Sequence, residues 1–153
     1  MSTVLDLLLA CLHHLLIFLV FAMLLAEHVL LRPGLSADVV ARMARLDRLY
    51  GVLAGVLLIV GVCRAVFAAK GWSYYSHNAW FWAKLATFGL IAVLSISPTL
   101  TILRWRRSGQ LPDEIAVHRM RRVLHCELAL FVLLPLFAAA MARGYGEFQA
   151  GPK

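Results

Sequence analysis

Four apolar runs, each long enough to cross a lipid bilayer, dominate the sequence and restrict the folds open to it. About 20 residues of α-helix, rising roughly 1.5 Å each, span the hydrocarbon core of a membrane. The mean hydropathy of +0.81 and the 62% of hydrophobic residues exceed what a soluble domain of 153 residues can bury. We therefore predict an all-α integral membrane protein, a bundle of four transmembrane helices in a single domain, residues 1–153. The predicted spans are about 7–26, 50–69, 80–103 and 123–142.

The segments between these runs carry helix-ending and interfacial signals. Arg32-Pro33-Gly34 ends the first run, and residues 36–48 have the pattern of a short basic amphipathic helix leading into the second. Residues 70–78 (KGWSYYSHN) form a predicted loop whose Trp and Tyr suit a membrane interface. Pro98 predicts a kink in the third span, and the helix before the fourth span continues into it without a break.

Most of the basic residues lie on one side of the predicted bundle. Lys70, Arg143 and Lys153 are the basic residues on the opposite side, so the positive-inside rule places both termini outside the cytoplasm. This placement explains the net charge of +7 without nucleic acid, and it predicts contact with anionic lipid headgroups at the cytoplasmic loops. Those two loops contain ten of the fifteen Lys and Arg residues: Arg32, Arg42, Arg45, Arg48, Arg104, Arg106, Arg107, Arg119, Arg121 and Arg122.

Three of the predicted spans carry cationic or imidazole side chains at a similar depth. His13, His14, Arg64 and Lys84 lie roughly 6 to 11 Å from the outer face, counting about 1.5 Å per residue. Unpaired charges at that depth are costly, and Asp6 is the one acidic residue near this level. The pattern predicts an anionic ligand such as haem b, with its propionates on Arg64 and Lys84.

Either histidine can supply the iron ligand in this prediction. Adjacent helical positions point about 100° apart, so only one of His13 and His14 is expected to face the bundle, and the sequence leaves open which. A plainer alternative needs no ligand: Arg64 and Lys84 lie within about two turns of the outer interface and can extend their charged ends to it.

A second polar group lies near the predicted cytoplasmic side. Glu127 can pair there with Arg48 or Arg122, as part of a structural ion-pair network. The alternative is that Glu127 and His125 carry protons, or that the group holds a second ligand. Its members are Glu27, His28, Arg48, Tyr50, Arg122, His125 and Glu127.

Short motifs in all four spans resemble those of HemJ-type membrane protoporphyrinogen oxidases. They are HLLIFLVFAMLLAEHVL from His14, RLYGVLAGVLLIVG from Arg48, WFWAKL from Trp80 and LHCELALFVLLPLFA from Leu124, in the same order. The whole sequence is also similar to an uncharacterised bacterial family of predicted four-helix membrane proteins. It departs from the HemJ pattern at residues 125–127 (HCE), where those proteins have an Asn-Glu pair.

The resemblance implies a multi-pass protein of the bacterial cytoplasmic (inner) membrane that binds haem b. It implies His14 as the candidate metal ligand and Lys84 as a functional partner. An enzyme of this kind would be an oxidoreductase acting on a porphyrin or a quinone, with Lys84, Glu127 and His125 as candidate catalytic residues.

Two other classes of function remain open. The first is a carrier of haem or copper without turnover, although Cys11 is the only soft ligand near the histidine pair. The second is a homo-oligomer or an accessory subunit of a larger membrane complex. In that case Arg64 and Lys84 would meet a partner's carboxylates or lipid phosphates.

Overall fold

The computed structural model describes residues 3–67 and 71–148, and these residues form α-helices joined by short turns. Ala69, Lys70 and Lys153, on which the predicted second span and topology partly rest, lie outside the described residues. The helices are α1 (Thr3–Leu30), α2 (Ala37–Phe67), α3 (Gly71–Ser76), α4 (Ala79–Ser108) and α5 (Glu114–Ala142).

Four of these helices are long and apolar enough to cross a membrane, which confirms the predicted all-α multi-pass architecture. Each long helix presents large apolar side chains outward. Phe18 on α1, Ile59 on α2, Val93 on α4 and Val132 on α5 are all more than half exposed. A soluble monomer does not leave apolar surface of this extent open, so these side chains contact lipid.

The connecting segments differ from the sequence prediction in one place. Residues 37–48 are helical and lead into the second span as predicted, since α2 runs without a break from Ala37 to Phe67. Residues 70–78 are not simply a loop, since Gly71–Ser76 form the helix α3. The continuous α5 is as predicted, and Pro98 is buried inside α4 without ending it.

The long helices pack as two antiparallel hairpins. α1 packs most extensively against α2, and α4 against α5, while α2–α4 and α1–α5 contacts join the hairpins. One end of the bundle, the α3 end, carries α3 and residues 143–148. The other, the arginine-rich end, carries the turns at residues 31–36 and 109–113.

Candidate functional site

A cationic cluster, formed by His13, Arg64 and Lys84, lies in the half of the bundle near the α3 end. His13 is only 7% exposed, and among charged groups Lys84 and Arg64 have the largest electrostatic effect on its imidazole. The positive charges of Lys84 and Arg64 also repel each other. The structure thus brings together three of the residues that the sequence assigned to ligand binding, each from a different helix.

A glycine determines how closely His13 approaches α2. A β-carbon built on Gly61 would lie 3.2 Å from Cε1 of His13. Apart from the adjoining residues and backbone of α2 itself, no atom of the described residues lies within 4 Å of the corresponding positions at Gly51 and Gly55. The close helix contact expected from these glycines is therefore made at Gly61 alone of the three, and it is a contact with an imidazole.

Two polar atoms in the cationic cluster are buried without a hydrogen-bond partner in the described part of the chain. They are Nδ1 of His13 and Nε of Arg64. The charged groups acting on His13 are Lys84, Arg64 and His14, with no carboxylate among them. A free imidazole nitrogen beside a guanidinium and an ammonium group fits a ligand that carries carboxylates and a metal, and haem b has both.

His14, which the family resemblance favoured as the metal ligand, lies on a different face of α1. Its side chain is exposed, and its Nδ1 lies 2.7 Å from the carbonyl oxygen of Ala10 on the same helix. The rings of His13 and His14 are perpendicular, with centroids 6.3 Å apart. Of the two histidines, His13 is therefore the one that faces the bundle.

A second site, which we call the carboxyl cluster, lies nearer the arginine-rich end. Glu27 of α1, Asp47 of α2 and Glu127 of α5 are 2%, 7% and 0% exposed. The charged groups acting on Glu27 are Asp47 and Glu127. The sequence analysis named both glutamates but missed Asp47, which is buried because α2 continues inward through this segment.

Hydroxyl groups link the carboxyl cluster to α4. Thr99 donates a hydrogen bond to Asp47 at 2.6 Å. Ser95 Oγ lies 2.9 Å from Oε2 of Glu127 and 3.0 Å from the hydroxyl of Tyr50. Oε1 of Glu127 and Oε1 of Glu27 are buried without a hydrogen-bond partner among residues 3–67 and 71–148.

Of the other members of the predicted inner polar group, Tyr50 lies beside this cluster through its bond to Ser95, and the rest lie outside it. Arg48, Arg122 and His125 are exposed, whereas Glu127 is fully buried and bonded to Ser95. The sequence-based ion pairs of Glu127 with Arg48 or Arg122 are therefore replaced by a hydroxyl contact. His125 instead stacks edge-on against His28 of α1, with ring centroids 4.2 Å apart.

The donor atoms in the described residues do not form a conventional metal site. No group of three or more His, Cys, Asp or Glu side chains there is placed to hold a metal ion. Cys11, the soft ligand considered for copper, is a free and exposed thiol.

Comparison with known proteins gives a family and no activity. No curated protein and no solved structure matches the chain. Residues 5–146 match the family described as "Predicted membrane protein (DUF2214)", and this match includes all four long helices except the first residues of α1. The chain therefore belongs to the DUF2214 family of predicted membrane proteins.

Proposed function

We propose that the cationic cluster binds haem b. The observation that carries the proposal is the pair of buried nitrogens, Nδ1 of His13 and Nε of Arg64, which have no hydrogen-bond partner in the described residues. They lie beside Lys84, and no described carboxylate is among the charged groups that act on His13. Burying cations in an apolar setting without counter-charges costs several kcal/mol on membrane-insertion scales. A ligand that brings negative charge would remove this cost, so its binding is favoured.

Each residue of the cationic cluster has a defined role in this proposal. His13 ligates the iron, because it is the imidazole that faces the bundle. Arg64 and Lys84 donate hydrogen bonds to the propionates, and these bonds are stronger where water is excluded. When bound, haem supplies one-electron chemistry, and the chain supplies binding, orientation and charge.

The proposed activity is that of an oxidoreductase acting on a porphyrin or a quinone in a bacterial inner membrane, with both termini outside the cytoplasm. The HemJ resemblance supports this class. Glu127 lies beside Glu27 of α1. Glu27 follows His13 by 14 residues, or about 21 Å of helix. Glu127 and His125 are therefore too far toward the other end of the bundle to touch a ligand held by His13. Their proposed role is to carry protons.

Anionic lipid headgroups are the proposed partners of the arginine-rich end. Arg42, Arg45 and Arg106 line one open concavity there, together with Asp38 and Ala41. Three guanidinium groups around one depression attract phosphate, and their excess over the single carboxylate favours an anionic lipid surface.

The test is the reduced-minus-oxidised visible spectrum of the full chain, purified in detergent after expression with ample haem supply. A pyridine-haemochrome assay gives the haem content per chain. The proposal predicts a Soret band and an α-band with about one haem per chain. A colourless protein under these conditions would overturn it and favour an accessory subunit, in which Arg64 and Lys84 meet carboxylates of a partner.

A further inference from the structure

The carboxyl cluster holds three buried acidic side chains, and no cation of the described residues is among the charged groups that act on them. Glu27, Asp47 and Glu127 come from three helices, and the hydroxyls of Tyr50, Ser95 and Thr99 complete their polar surroundings. The charged groups that act on Tyr50 and Glu127 are again members of this cluster. Three negative charges at such a site would repel one another in a medium of low dielectric constant.

The contacts of Ser95 leave Glu127 incompletely satisfied as a carboxylate. The Oγ of Ser95 lies 2.9 Å from the carbonyl oxygen of Ile91, 2.9 Å from Oε2 of Glu127 and 3.0 Å from the hydroxyl of Tyr50. A serine hydroxyl has one hydrogen to donate, so Ser95 can donate fully to only one of the two acceptors on Ile91 and Glu127. Oε1 of Glu127 is buried without a hydrogen-bond partner in the described residues, and the charged group acting on this carboxyl group is Asp47. A bound proton on Glu127 removes this uncompensated charge.

The remaining two carboxyl groups differ in their partners. Oε1 of Glu27 is buried without a partner in the described ranges, and its charged neighbours are acidic. An ionised carboxylate in that position has nothing to stabilise it, so Glu27 is neutral as well. Asp47 accepts a hydrogen bond from Thr99 at 2.6 Å, within the range of about 2.5–2.7 Å typical of a hydroxyl bonded to a charged carboxylate.

We infer that the carboxyl cluster is a proton-binding site, in which Glu27 and Glu127 each carry a bound proton at neutral pH and Asp47 carries the one negative charge. This inference stands apart from haem binding, since it concerns different side chains at the other end of the bundle. A bound metal ion fits the cluster less well, because its carboxyl groups do not form a set of three metal-ligating side chains in the described residues.

An apolar layer separates this site from the cationic cluster. Leu16, Val20 and Leu24 of α1 lie between His13 and Glu27 on the same buried face, each at most 5% exposed. Buried Phe131 and Leu134 of α5 extend the layer beyond Glu127. This apolar layer therefore isolates the carboxyl cluster from the cationic cluster.

Infrared spectroscopy of the full chain in lipid nanodiscs at pH 7 tests this inference. A protonated carboxyl group gives a C=O band that is separate from the ionised carboxylate bands and moves to lower frequency in D2O. We expect Glu27→Gln and Glu127→Gln each to remove the area of one carboxyl group per chain from this band. Glu114→Gln, which changes an exposed acid on α5, and Asp47→Asn should leave the area unchanged.

Two controls keep the outcome interpretable if a glutamine variant folds poorly. Ser95→Ala should shift the frequency of the Glu127 band without changing its area, because only the hydrogen-bond partner is lost. Addition of Na⁺ or Mg²⁺ should leave the thermal unfolding temperature unchanged. The inference is overturned if the band is absent, if Asp47→Asn removes it, or if either cation gives a saturable stabilisation that Glu127→Gln abolishes.

Discussion

The imidazole of His13 lies against the backbone of α2 at Gly61, where its Cε1 is 3.2 Å from the position a β-carbon would occupy. Few real contacts of a β-carbon are this close, so an alanine here would press on the ring. Because His13 is buried at this point, the glycine fixes how deep the imidazole sits between α1 and α2. The pair thus ties a packing detail of the helix interface to the candidate ligand site.

Replacement of this glycine should disturb both stability and the site. Overpacking costs about 1–3 kcal/mol, and Gly61→Ala should be less stable than Gly55→Ala by about that amount. Gly55 is the matched control because it lies on the same helix with open space around it, so both variants share the gain of about 1 kcal/mol in helix propensity. Thermal unfolding in detergent measures the difference. Equal unfolding temperatures would mean that His13 does not rest on Gly61.

The two histidines should respond differently to substitution. His13→Ala should lose bound haem, whereas His14→Ala should retain it, because His14 is exposed and lies close to the carbonyl of Ala10. Haem content per chain after purification is the measurement, with helicity by circular dichroism as the control for folding. Loss of haem in His14→Ala and not in His13→Ala would restore the assignment implied by the HemJ resemblance.

Much of the fold is readable from hydropathy, because the length of an apolar run directly sets whether it spans a bilayer. Which face of each helix points into the bundle is harder to predict, since nearly every position in these runs is apolar. The few polar positions determine which face is buried. On α1, positions 13, 16, 20, 24 and 27 are all buried, and Leu31, just after the helix, continues the series. This stripe has helical spacing, and it places His13 and Glu27 on the same buried face.

The same kind of stripe on α5 contains Glu127. Buried positions 117, 120, 124, 127, 131 and 134 recur at alternating intervals of three and four residues, so Glu127 occupies a core position of a regular pattern. That signal was present in the sequence. Asp47 lies at comparable spacing on α2, where Val40, Met43 and Tyr50 are buried on the same face. It was missed because the arginines around it make the segment read as an exposed amphipathic helix.

Residues 143–148 dock through Asn78, which is fully buried. Its Oδ1 accepts from the backbone N–H of Trp80 at 2.9 Å, which caps α4, and its Nδ2 donates to the carbonyl oxygen of Tyr145 at 3.1 Å. Asn78→Ala should lower the free energy of unfolding by about 1–2 kcal/mol, the usual cost of losing a cap.

A conservative variant separates the two roles of Asn78. Asn78→Asp keeps the acceptor for Trp80 but loses the donor to Tyr145, so it should retain the cap and release residues 143–148 to limited proteolysis. When the Tyr145 bond is lost, two backbone bonds should be lost as well. They run from Phe148 N–H to the His77 carbonyl oxygen and from Ala79 N–H to the Gly146 carbonyl oxygen. A tail that stays protease-resistant in Asn78→Asp would show that those backbone bonds suffice.

The predicted orientation can be tested with reporter fusions. Alkaline phosphatase fused after residue 148 should be active, since that enzyme folds only outside the cytoplasm, and a fluorescent protein at the same position should be dark. The matched control is fusion after Gly109, in the turn between α4 and α5, where the pattern should reverse. The opposite pattern at both positions would place the arginine-rich end outside.

Lys84 separates ligand binding from a purely interfacial role. Lys84→Met removes the ammonium group but keeps a long apolar side chain, so insertion into the membrane should be preserved. A lost hydrogen bond to a charged group is worth about 1.5–3 kcal/mol, which predicts a rise in the Kd for haem of about tenfold or more. Arg119→Met, at an exposed position of α5 near the arginine-rich end, should leave the Kd unchanged. An unchanged Kd in Lys84→Met would instead mean that this lysine extends to the interface and contributes nothing to the ligand.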